Sequence, residues 1–525
     1  MHRPAGFLLM RVALVWGALV LSACTTLGPD YREPEVDWLA RWQASLPGPG
    51  QIDKSGDGEQ VDLSFWWQVF NDPVVNELIA TAQRENPSLR IAGLRILESR
   101  ARLGIAGSSL YPQVQQASGA VAYVNTQQRG GSLPNDSQDF GSYQLGFNLS
   151  WELDFWGRFK RGIESADAAF FSSVADQQAA QVLVSAQVAD LYFAYRTTQL
   201  RIQIAHENAA IQRRSFDITN KIFKSGGGSE LDVQQAKTQF LATLSSIPSL
   251  ELTLAQVRNA LSVVLGRAPG DLPELADEAN KLPDIGSTGS PEIPARLLLR
   301  RPDVRAAASQ VAAQSAQIGI AEADFYPAVS LLGSIGWSGN TLSASPDTGS
   351  LGIGPAVQWN LFDHGRIRNN VRLQDALLQQ LIESYQNTVL QAAREIDDAG
   401  VSVVKTAEQQ DLLDQTVVAA QRALDIANTR YREGYADFQR VLDAQRSFFS
   451  QAERQLINHG THISSVISLY KALGGGWLVT PIEQLIPEDV RKDMQERTNW
   501  GDLLTAPLPS GGIDSQAITS GATSK

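Results

Sequence analysis

The chain has 525 residues, a formal net charge of -12 and a hydrophobic content of 43%. This composition supplies enough apolar side chains for large buried surfaces, and the lack of a basic excess argues against nucleic acid as a partner. The only cysteine, Cys24, excludes a disulfide framework within the chain and any metal site built from several cysteines.

Residues 1–23 have the features of a secretory signal peptide. Two arginines precede an apolar run at 12–21, and small residues stand directly before Cys24. The sequence LSAC resembles the lipobox of bacterial lipoproteins, in which the cysteine becomes the lipidated first residue. We therefore expect an acyl anchor on Cys24, although a plain signal with an incidental cysteine is the alternative. The anchor is expected in the outer membrane, because Thr25 stands where lipoproteins of the inner membrane have aspartate.

Residues 24–64 are rich in proline, glycine and charge, which predicts an extended segment that lies over another part of the protein. Order is expected from Phe65, with helices at about 73–85 and 87–110, each with a proline near its first turn. After the signal we find no run that approaches the ~20 apolar residues of a membrane-spanning helix. A chain that crosses a membrane without such a helix must use strands.

The sequence contains an internal duplication. RLGIAGSSLYPQV at 102–114 recurs as QIGIAEADFYPAV at 317–329, and WELDFWGR at 151–158 recurs as WNLFDHGR at 359–366. Two copies of one structural unit are therefore expected. The boundaries are repeat 1 at 65–270, repeat 2 at 285–477, and a tail at 478–525. The end of this tail is expected to be disordered from its composition, and the family resemblance given below implies that the tail is equatorial.

Each repeat contains two segments in which apolar and polar residues alternate, a pattern typical of strands with one apolar face. The four strands are expected at about 113–125, 141–153, 328–338 and 350–361. Long polar loops join each pair, as on the outer face of an outer-membrane barrel. Four strands do not close a barrel, and lipid does not tolerate unpaired sheet edges, so several chains must share one barrel. Two chains are the minimum, and three would supply twelve strands.

A long helical hairpin follows the strands in each repeat, at about 158–266 and 365–475. In the second hairpin, apolar residues recur every seventh position on both sides of the turn, which indicates an antiparallel coiled-coil arm. The first hairpin mirrors it. Its returning helix contains Pro248, and we expect a kink there because an interior proline removes a backbone hydrogen bond.

The turn of each arm is encoded by glycine followed by a helix cap. In the first arm, Gly226 and Gly227 precede Ser229, whose hydroxyl suits the N-cap position. In the second arm, Gly434 suits the left-handed position that ends a helix, and Asp437 suits the following N-cap.

Taken together, these features resemble the TolC-like outer-membrane factors, in the lipoprotein branch that serves tripartite multidrug efflux. The resemblance rests on LSAC, FWWQVFNDP, WELDFWGR, RRPDVRAAASQVAAQSAQIGIAEADFYPAVSL, GPAVQWNLFDHGRIR and YREGYADFQRVLDAQRS. It covers nearly everything from Cys24 to about Ile482. It implies an α+β membrane protein with two tandem repeats, each of two β-strands plus a long antiparallel helical hairpin. The implied homotrimer forms a twelve-stranded β-barrel continued by a twelve-helix tunnel.

The resemblance also implies the function. The chain is expected to be the passive exit duct of an efflux system, opened at its periplasmic tips by an adaptor protein and a proton-driven inner-membrane pump. It is expected in the bacterial outer membrane, extending into the periplasm, with no enzymatic activity and no cofactor besides the diacylglyceryl and acyl lipid on Cys24. The outer-membrane channel of a type I protein secretion system is the alternative, because it shares this architecture.

Residue by residue, the resemblance places adaptor docking at the two tips, on Gly226, Gly227, Ser229, Gly434 and Asp437.

The resemblance places the periplasmic gate at Asp443, with Arg430, Tyr431 and Asp232 beside it. Three copies of Asp443 would set a ring of carboxylates across the narrowest point of the tunnel. A simpler explanation is that an acid early in a helix gains about 0.3 to 1 kcal/mol from the helix dipole. Asp232 also has a simpler role, since it completes a capping box that begins at Ser229.

Other classes of protein fit the sequence less well. His459 and His462 have the spacing of a metal-binding pair, but no carboxylate pattern completes a site. Asp397 and Asp398 are most simply a solvated helix face or tunnel lining. A structural coiled-coil lipoprotein would explain the heptads and Cys24 but not the four alternating strands.

Overall fold

The computed structural model describes residues 26–34, 63–127, 137–276, 281–285, 298, 300–340, 346 and 348–508. The predicted signal peptide, the lipidation site Cys24 and the last part of the tail, 509–525, lie outside the described residues.

The two halves of the chain have the same order of elements. The first half contains α1 (Pro73–Glu85), α2 (Pro87–Ser108), β1 (Val114–Gln127), β2 (Ser137–Leu153), α3 (Arg158–Lys224) and α4 (Glu230–Val264). The second half contains α5 (Pro302–Ala323), β3 (Ala328–Gly339), β4 (Thr348–Gln358), α6 (Arg366–Arg432) and α7 (Phe438–Ala472), followed by α8 (Ile482–Leu485) and α9 (Glu488–Arg497). Short 3-10 turns lie at Trp66–Phe70, Pro273–Leu275 and Gly501–Leu504. The predicted fold, two repeats of two strands plus a long helical hairpin, is confirmed.

The two arms have matching dimensions. Helices α3 and α6 each have 67 residues, and the returning helices α4 and α7 each have 35. At 1.5 Å per residue, each longer helix extends about 100 Å. In α6, the positions of the seven-residue repeat are buried at Val389, Ile396, Val403 and Leu424. Gln410 occupies a polar position of the same repeat and is half-buried.

The strands differ slightly from the predicted bounds. β2 begins at Ser137 rather than near 141, because its polar residues still pair with β1 out to Gln127. A backbone ladder requires N–H and C=O groups and not apolar side chains, so strand alternation underestimates its length. β4 ends at Gln358, three residues before the predicted end.

Helix α4 corrects the expectation that no helix after the signal is apolar enough to cross a membrane. By length and composition alone it meets that requirement, since its Ala, Leu, Ile and Val residues raise the mean hydropathy although Ser, Thr and Pro interrupt any continuous apolar stretch. One such helix is weak evidence for a span, and α4 pairs with α3 in the first arm. The helix continues through Pro248.

The main core lies around the middle of the arms, where the two repeats meet. Trp66 stacks on Tyr470 with ring centroids 5.2 Å apart, and Phe70 packs on Phe193 at 4.6 Å. Part of the predicted tail is built into a second core. There, apolar residues of the tail pack against α2 and α3; the members are Ile96, Leu97, Phe170, Val174, Ile482, Leu485, Ile486, Met494 and Leu504.

Candidate functional site

The four strands form one antiparallel sheet in the order β1-β2-β3-β4. Its cross-strand rows alternate in character. One row is apolar, with Ala117, Phe147, Ile335 and Leu351 in register, and the next is polar or small, with Gln116, Asn148, Ser334 and Gly352. Because side chains of one row share a face, the sheet has one apolar and one polar face. Leu351 is 80% exposed and Ile353 78%, so the apolar face is uncovered in the single chain.

Among the residues that the structure describes, the sheet also has two open edges. β1 pairs on one side with β2, and β4 pairs on one side with β3. The free sides carry main-chain donors and acceptors next to exposed apolar side chains such as Tyr123 and Val357. In lipid, each unsatisfied backbone group costs several kcal/mol, so an apolar sheet of this kind requires further strands to close it.

Aromatic residues lie where the sheet meets the helices. The indole N–H of Trp151 donates to the carbonyl oxygen of Leu110 at 3.1 Å, and that of Trp359 donates to Phe325 at 3.0 Å, the same contact in each repeat. Aromatic side chains with a polar edge are typical of membrane–water boundaries. The strands lie on one side of this aromatic level and the arms on the other.

The first tip has the predicted glycine turn. Gly226 adopts φ +82°, and the amide of Gly227 donates to the carbonyl oxygen of Ile222 at 3.1 Å, which satisfies the end of α3. Ser229 then caps α4, because its Oγ accepts from the amide of Leu231 at 3.1 Å.

The second tip repeats this construction. Gly434 adopts φ +77°, and the amide of Tyr435 donates to the carbonyl oxygen of Arg430 at 2.8 Å. Asp437 caps α7 through its Oδ1, which accepts from the amide of Arg440 at 3.2 Å. The same turn and cap thus end both arms, and all the tip residues named as docking positions are exposed.

The structure brings two of the four predicted gate residues together. Tyr431 packs on Phe438 with ring centroids 5.4 Å apart, in a small cluster that includes Ala236 of the first arm. Burial raises the pKa of Tyr431, and the carboxylate of Asp232 raises it further. Asp232 of the first arm therefore lies close enough to Tyr431 of the second for its charge to act on the phenol.

The other two gate residues are apart in the single chain. Asp443 is exposed on α7, and its Oδ1 accepts from the side-chain amide of Gln439 at 2.9 Å. Arg430 is exposed at the end of α6. Within the described part of the chain, no ion pair of 4.0 Å or less joins Arg430 to Asp443.

Sequence reasoning missed the polar contacts that join one arm to the other. Gln445 of α7 is 1% exposed and donates to the hydroxyl of Ser215 on α3 at 3.0 Å. Arg201 of α3 forms a 2.7 Å ion pair with Glu453 of α7. These partners come from different repeats, so no local spacing connects them. The sequence offers one signal for such a contact, which is a glutamine on a helix with an apolar heptad repeat, because a buried polar group needs a hydrogen-bond partner.

The two histidines each have a hydrogen-bond partner within the chain. His459 Nε2 lies 2.9 Å from the carbonyl oxygen of Pro283, and His462 Nδ1 lies 2.8 Å from the hydroxyl of Thr406. Among the described residues, no group of three or more His, Cys, Asp and Glu side chains is arranged to hold a metal. These imidazoles therefore have structural partners.

Comparison with known proteins agrees with this architecture. The family "Outer membrane efflux protein" matches residues 78–267 and 293–475, one segment in each repeat. The chain is 30% identical over 470 residues to the "Cation efflux system protein CusC" of Escherichia coli O6:H1, covering 88% of this chain and 97% of CusC. It is 29% identical over 473 residues to the "Probable outer membrane lipoprotein SilC" of Salmonella typhimurium, covering 87% and 97%.

A solved structure supports the same assignment. The outer-membrane channel OprN superposes with a TM-score of 0.77 at 32% sequence identity, covering 86% of this chain and 99% of OprN. The family match spans more than half of the chain, and the superposition includes both the strands and the arms. The chain therefore belongs to the outer membrane efflux protein family, whose members are channels and not enzymes.

Proposed function

We propose that three copies of the chain form the exit duct of a tripartite efflux system. The observation that carries this proposal is the sheet with one apolar face and two open edges. Three such sheets, joined edge to edge, would form a twelve-stranded barrel with its apolar face toward lipid and its polar face toward a lumen. The arms would continue the lumen as a helical tunnel on the periplasmic side.

The tips are the proposed contact with the rest of the system. Their turns are exposed at the ends of helices about 100 Å long. We propose that Gly226, Gly227, Ser229, Gly434 and Asp437 dock a periplasmic adaptor. Docking there, together with a proton-driven inner-membrane pump, would open the duct.

The gate is proposed at the same end. Arg430, Tyr431, Asp232 and Asp443 lie near the tips, and three copies of Asp443 would bring carboxylates together around a threefold axis. Such a ring favours cations, since like charges that are held close together attract counter-ions.

Lipidation of Cys24 is the proposed anchor. Its support is the LSAC sequence and the similarity to SilC, which is described as a probable outer membrane lipoprotein. An acyl anchor of this kind adds membrane affinity without a spanning helix.

The alternative duct, for type I protein secretion, has less support. The family description names efflux, and CusC is described as part of a cation efflux system. A passive duct does little sorting, so the exported compounds are set by the pump and not by these residues.

Two neighbouring residues on opposite faces of β4 test the barrel. Leu351→Asp places a charge on the apolar face, where it should impair insertion, although it costs less than the about 2 to 4 kcal/mol of an arginine or lysine at mid-membrane depth. Ser350→Asp places the same charge on the polar face and should insert normally. Native mass spectrometry should give a trimer for wild type and Ser350→Asp, and planar bilayers should show channels for both. Equal insertion of the two variants, or a monomer for the wild type, would refute the barrel.

A further inference from the structure

A buried arginine near the start of α3 is paired mainly by the N-terminal segment of the chain. Arg161 is 3% exposed. Its Nε donates to the carbonyl oxygen of Leu27 at 2.9 Å, and its Nη2 donates to that of Gly28 at 3.1 Å and to Asp30 at 2.8 Å. The remaining acceptor is Glu164, one turn further along the helix, at 2.7 Å. Because a buried charge without partners is costly, Arg161 depends on this segment for most of its compensation.

Glycines allow the segment to approach the helices backbone to backbone. A Cβ on Gly28, which adopts φ +84°, would collide with the backbone of Gly319 near the end of α5. A Cβ on Gly319 would lie 2.5 Å from the carbonyl oxygen of Leu27, and one on Gly157 would lie 2.6 Å from the side chain of Thr26. The fit therefore excludes any larger residue on either side of the contact.

The contact lies at the level where the sheet meets the helices. The amide of Leu27 donates to the carbonyl oxygen of Trp156 at 3.2 Å. Trp156 itself stacks on Tyr326 with centroids 4.6 Å apart and donates to the carbonyl oxygen of Pro327 at 2.9 Å. The segment is thus fixed between the connection from β2 to α3 and the C-terminal part of α5.

A second attachment follows a few residues later. The hydroxyl of Tyr385, which is 1% exposed on α6, donates to Glu33 at 3.3 Å, and Tyr31 packs against the main core. The segment therefore crosses from the first repeat to the second.

We propose that Gly157, Arg161 and Gly319 form a docking site for residues 26–30 of the same chain, and that this site fixes where the lipid of Cys24 leaves the protein. The anchoring role rests on the proposed lipidation, whereas the docking does not. Two peptide units separate Cys24 from Thr26, a reach of about 7 Å. Docking then holds the acyl chains beside the aromatic level, at the edge of the bilayer.

The duplication supplies an internal comparison. Gly104 is the counterpart of Gly319 in the other repeat, and a Cβ there would meet no described atom within 4 Å. Asn369 stands at the position that corresponds to Arg161. The equivalent positions in the other copy have no guanidinium and no chain segment packed against the glycine. Arg161 and Gly319 are therefore not needed merely to fold the repeat.

Trypsin cleavage at Arg32 measures docking directly. Arg32 is exposed, and a cut after it releases the N-terminal peptide with any attached lipid. Full-length protein extracted from membranes would be digested briefly, and the peptide that ends at Arg32 would be quantified by mass spectrometry. A protease must bind several extended residues on each side of the bond that it cuts, so cleavage after Arg32 requires residues 28–30 to leave their site, and its rate reports the undocked population.

We expect at least about tenfold faster release from Arg161→Ala and from Gly28→Val, since each removes several docking contacts. Gly104→Val and Asn369→Ala are the matched controls and should release the peptide at the wild-type rate. Gly28→Val changes only the segment, so its result does not depend on the folding of the helices.

Wild-type release rates for Gly28→Val would overturn the docking site, and so would equal acceleration by the two controls. The mass of the released peptide decides the lipid question separately. If the wild-type peptide carries no acyl mass, the anchoring role is wrong, while the comparison of release rates still decides whether the segment docks at Arg161.

Discussion

Arg301 donates from Nη1 to the carbonyl oxygen of Ala472 at 2.7 Å, so the residue before the first turn of α5 caps the end of α7. Asn86 has the corresponding role in the other repeat, because its side-chain amide donates to the carbonyl oxygen of Val264 at 2.7 Å. Both residues directly precede a helix-starting proline. The duplication thus preserves the position of this contact while the donor differs.

The first prediction concerns this contact. Arg301 is 7% exposed and is also paired with Asp303 and Glu395 at 2.7 and 2.8 Å. Arg301→Ala should destabilise the protein by about 1 to 3 kcal/mol, because it leaves a carbonyl at the end of α7 unpaired, whereas the ion pairs to the partly exposed carboxylates add little. The exposed neighbour provides a control, since Arg300→Ala should change stability by no more than about 0.5 kcal/mol. Denaturant unfolding in detergent measures the stability of both variants. Equal unfolding midpoints for Arg301→Ala and Arg300→Ala would contradict the capping role.

The second prediction tests the proposed gate. Replacing Asp443 and Arg430 together by alanine should loosen the closed tip and raise single-channel conductance in planar bilayers. Asp425→Ala is a matched control, because Asp425 also accepts from a glutamine one turn earlier, at 3.0 Å, but has no proposed gate role. Unchanged conductance in the double variant would remove Asp443 from the gate.

The third prediction concerns the backbone of the second tip. Gly434 has open space around its Cα, so a substitution there is opposed by its φ of +77° and not by a clash. Gly434→Val should cost about 1 to 2 kcal/mol, whereas asparagine, which tolerates this conformation, should cost less. Hydrogen exchange of the amides at 433–438 should rise in the valine variant. Equal stability and equal hydrogen exchange in Gly434→Val and Gly434→Asn would show that the positive φ of Gly434 is not what opposes the substitution.

The fourth prediction concerns pH. Burial lowers the pKa of His462 below its ordinary value of 6.5, and the neighbouring His459 lowers it further, while backbone hydrogen bonds to Ile285 and Val403 act in the opposite direction. Below about pH 6.5 the unfolded chain binds a proton that the folded chain resists. Stability should therefore fall as the pH decreases through this range.

His462→Gln should flatten that pH dependence, while His206→Gln, at an exposed position, should leave it unchanged. Thermal unfolding midpoints of detergent-solubilised protein between about pH 7 and pH 5 would show the difference. If the unfolding midpoint changes with pH in the same way for wild type and His462→Gln, the pH dependence of stability comes from other groups.

The fifth prediction concerns Cys24. Cys24→Ser should abolish acylation while the trimer persists, because the strand edges and not the lipid hold the subunits together in the proposed assembly. Intact mass of the mature protein gives the first result, and native mass spectrometry gives the second. Absence of lipid on the wild-type protein would show that LSAC is not a lipidation signal here.

Features with a local cause were predictable from the sequence. The glycine turns at Gly226 and Gly434 and the caps at Ser229 and Asp437 depend on residues a few positions apart, so their chemistry is visible in the sequence. The repeat of two strands and one arm followed from the duplication, because both copies must fold in the same way.

Contacts between distant segments were not predictable. The extended segment was expected to lie over another part of the protein, but nothing near 26–30 indicates Arg161 as its partner. Gln445 and Ser215 are likewise joined only by the packing of one arm on the other. The apolar character of α4 was also misjudged. The sequence was searched for a continuous run of apolar residues, and this is a stricter requirement than a high mean hydropathy over a window of the helix.

The contact between Gly28 and Gly319 also constrains the order in which the protein is completed. Residues 26–30 are synthesised well before their partners, yet their site does not exist until the end of α5 has followed and folded against α3. Such a contact has a long loop to close and forms late. The N-terminal segment therefore docks only after the first helix of the second repeat has packed against the first repeat, so a docked segment marks a subunit in which the two repeats are in contact.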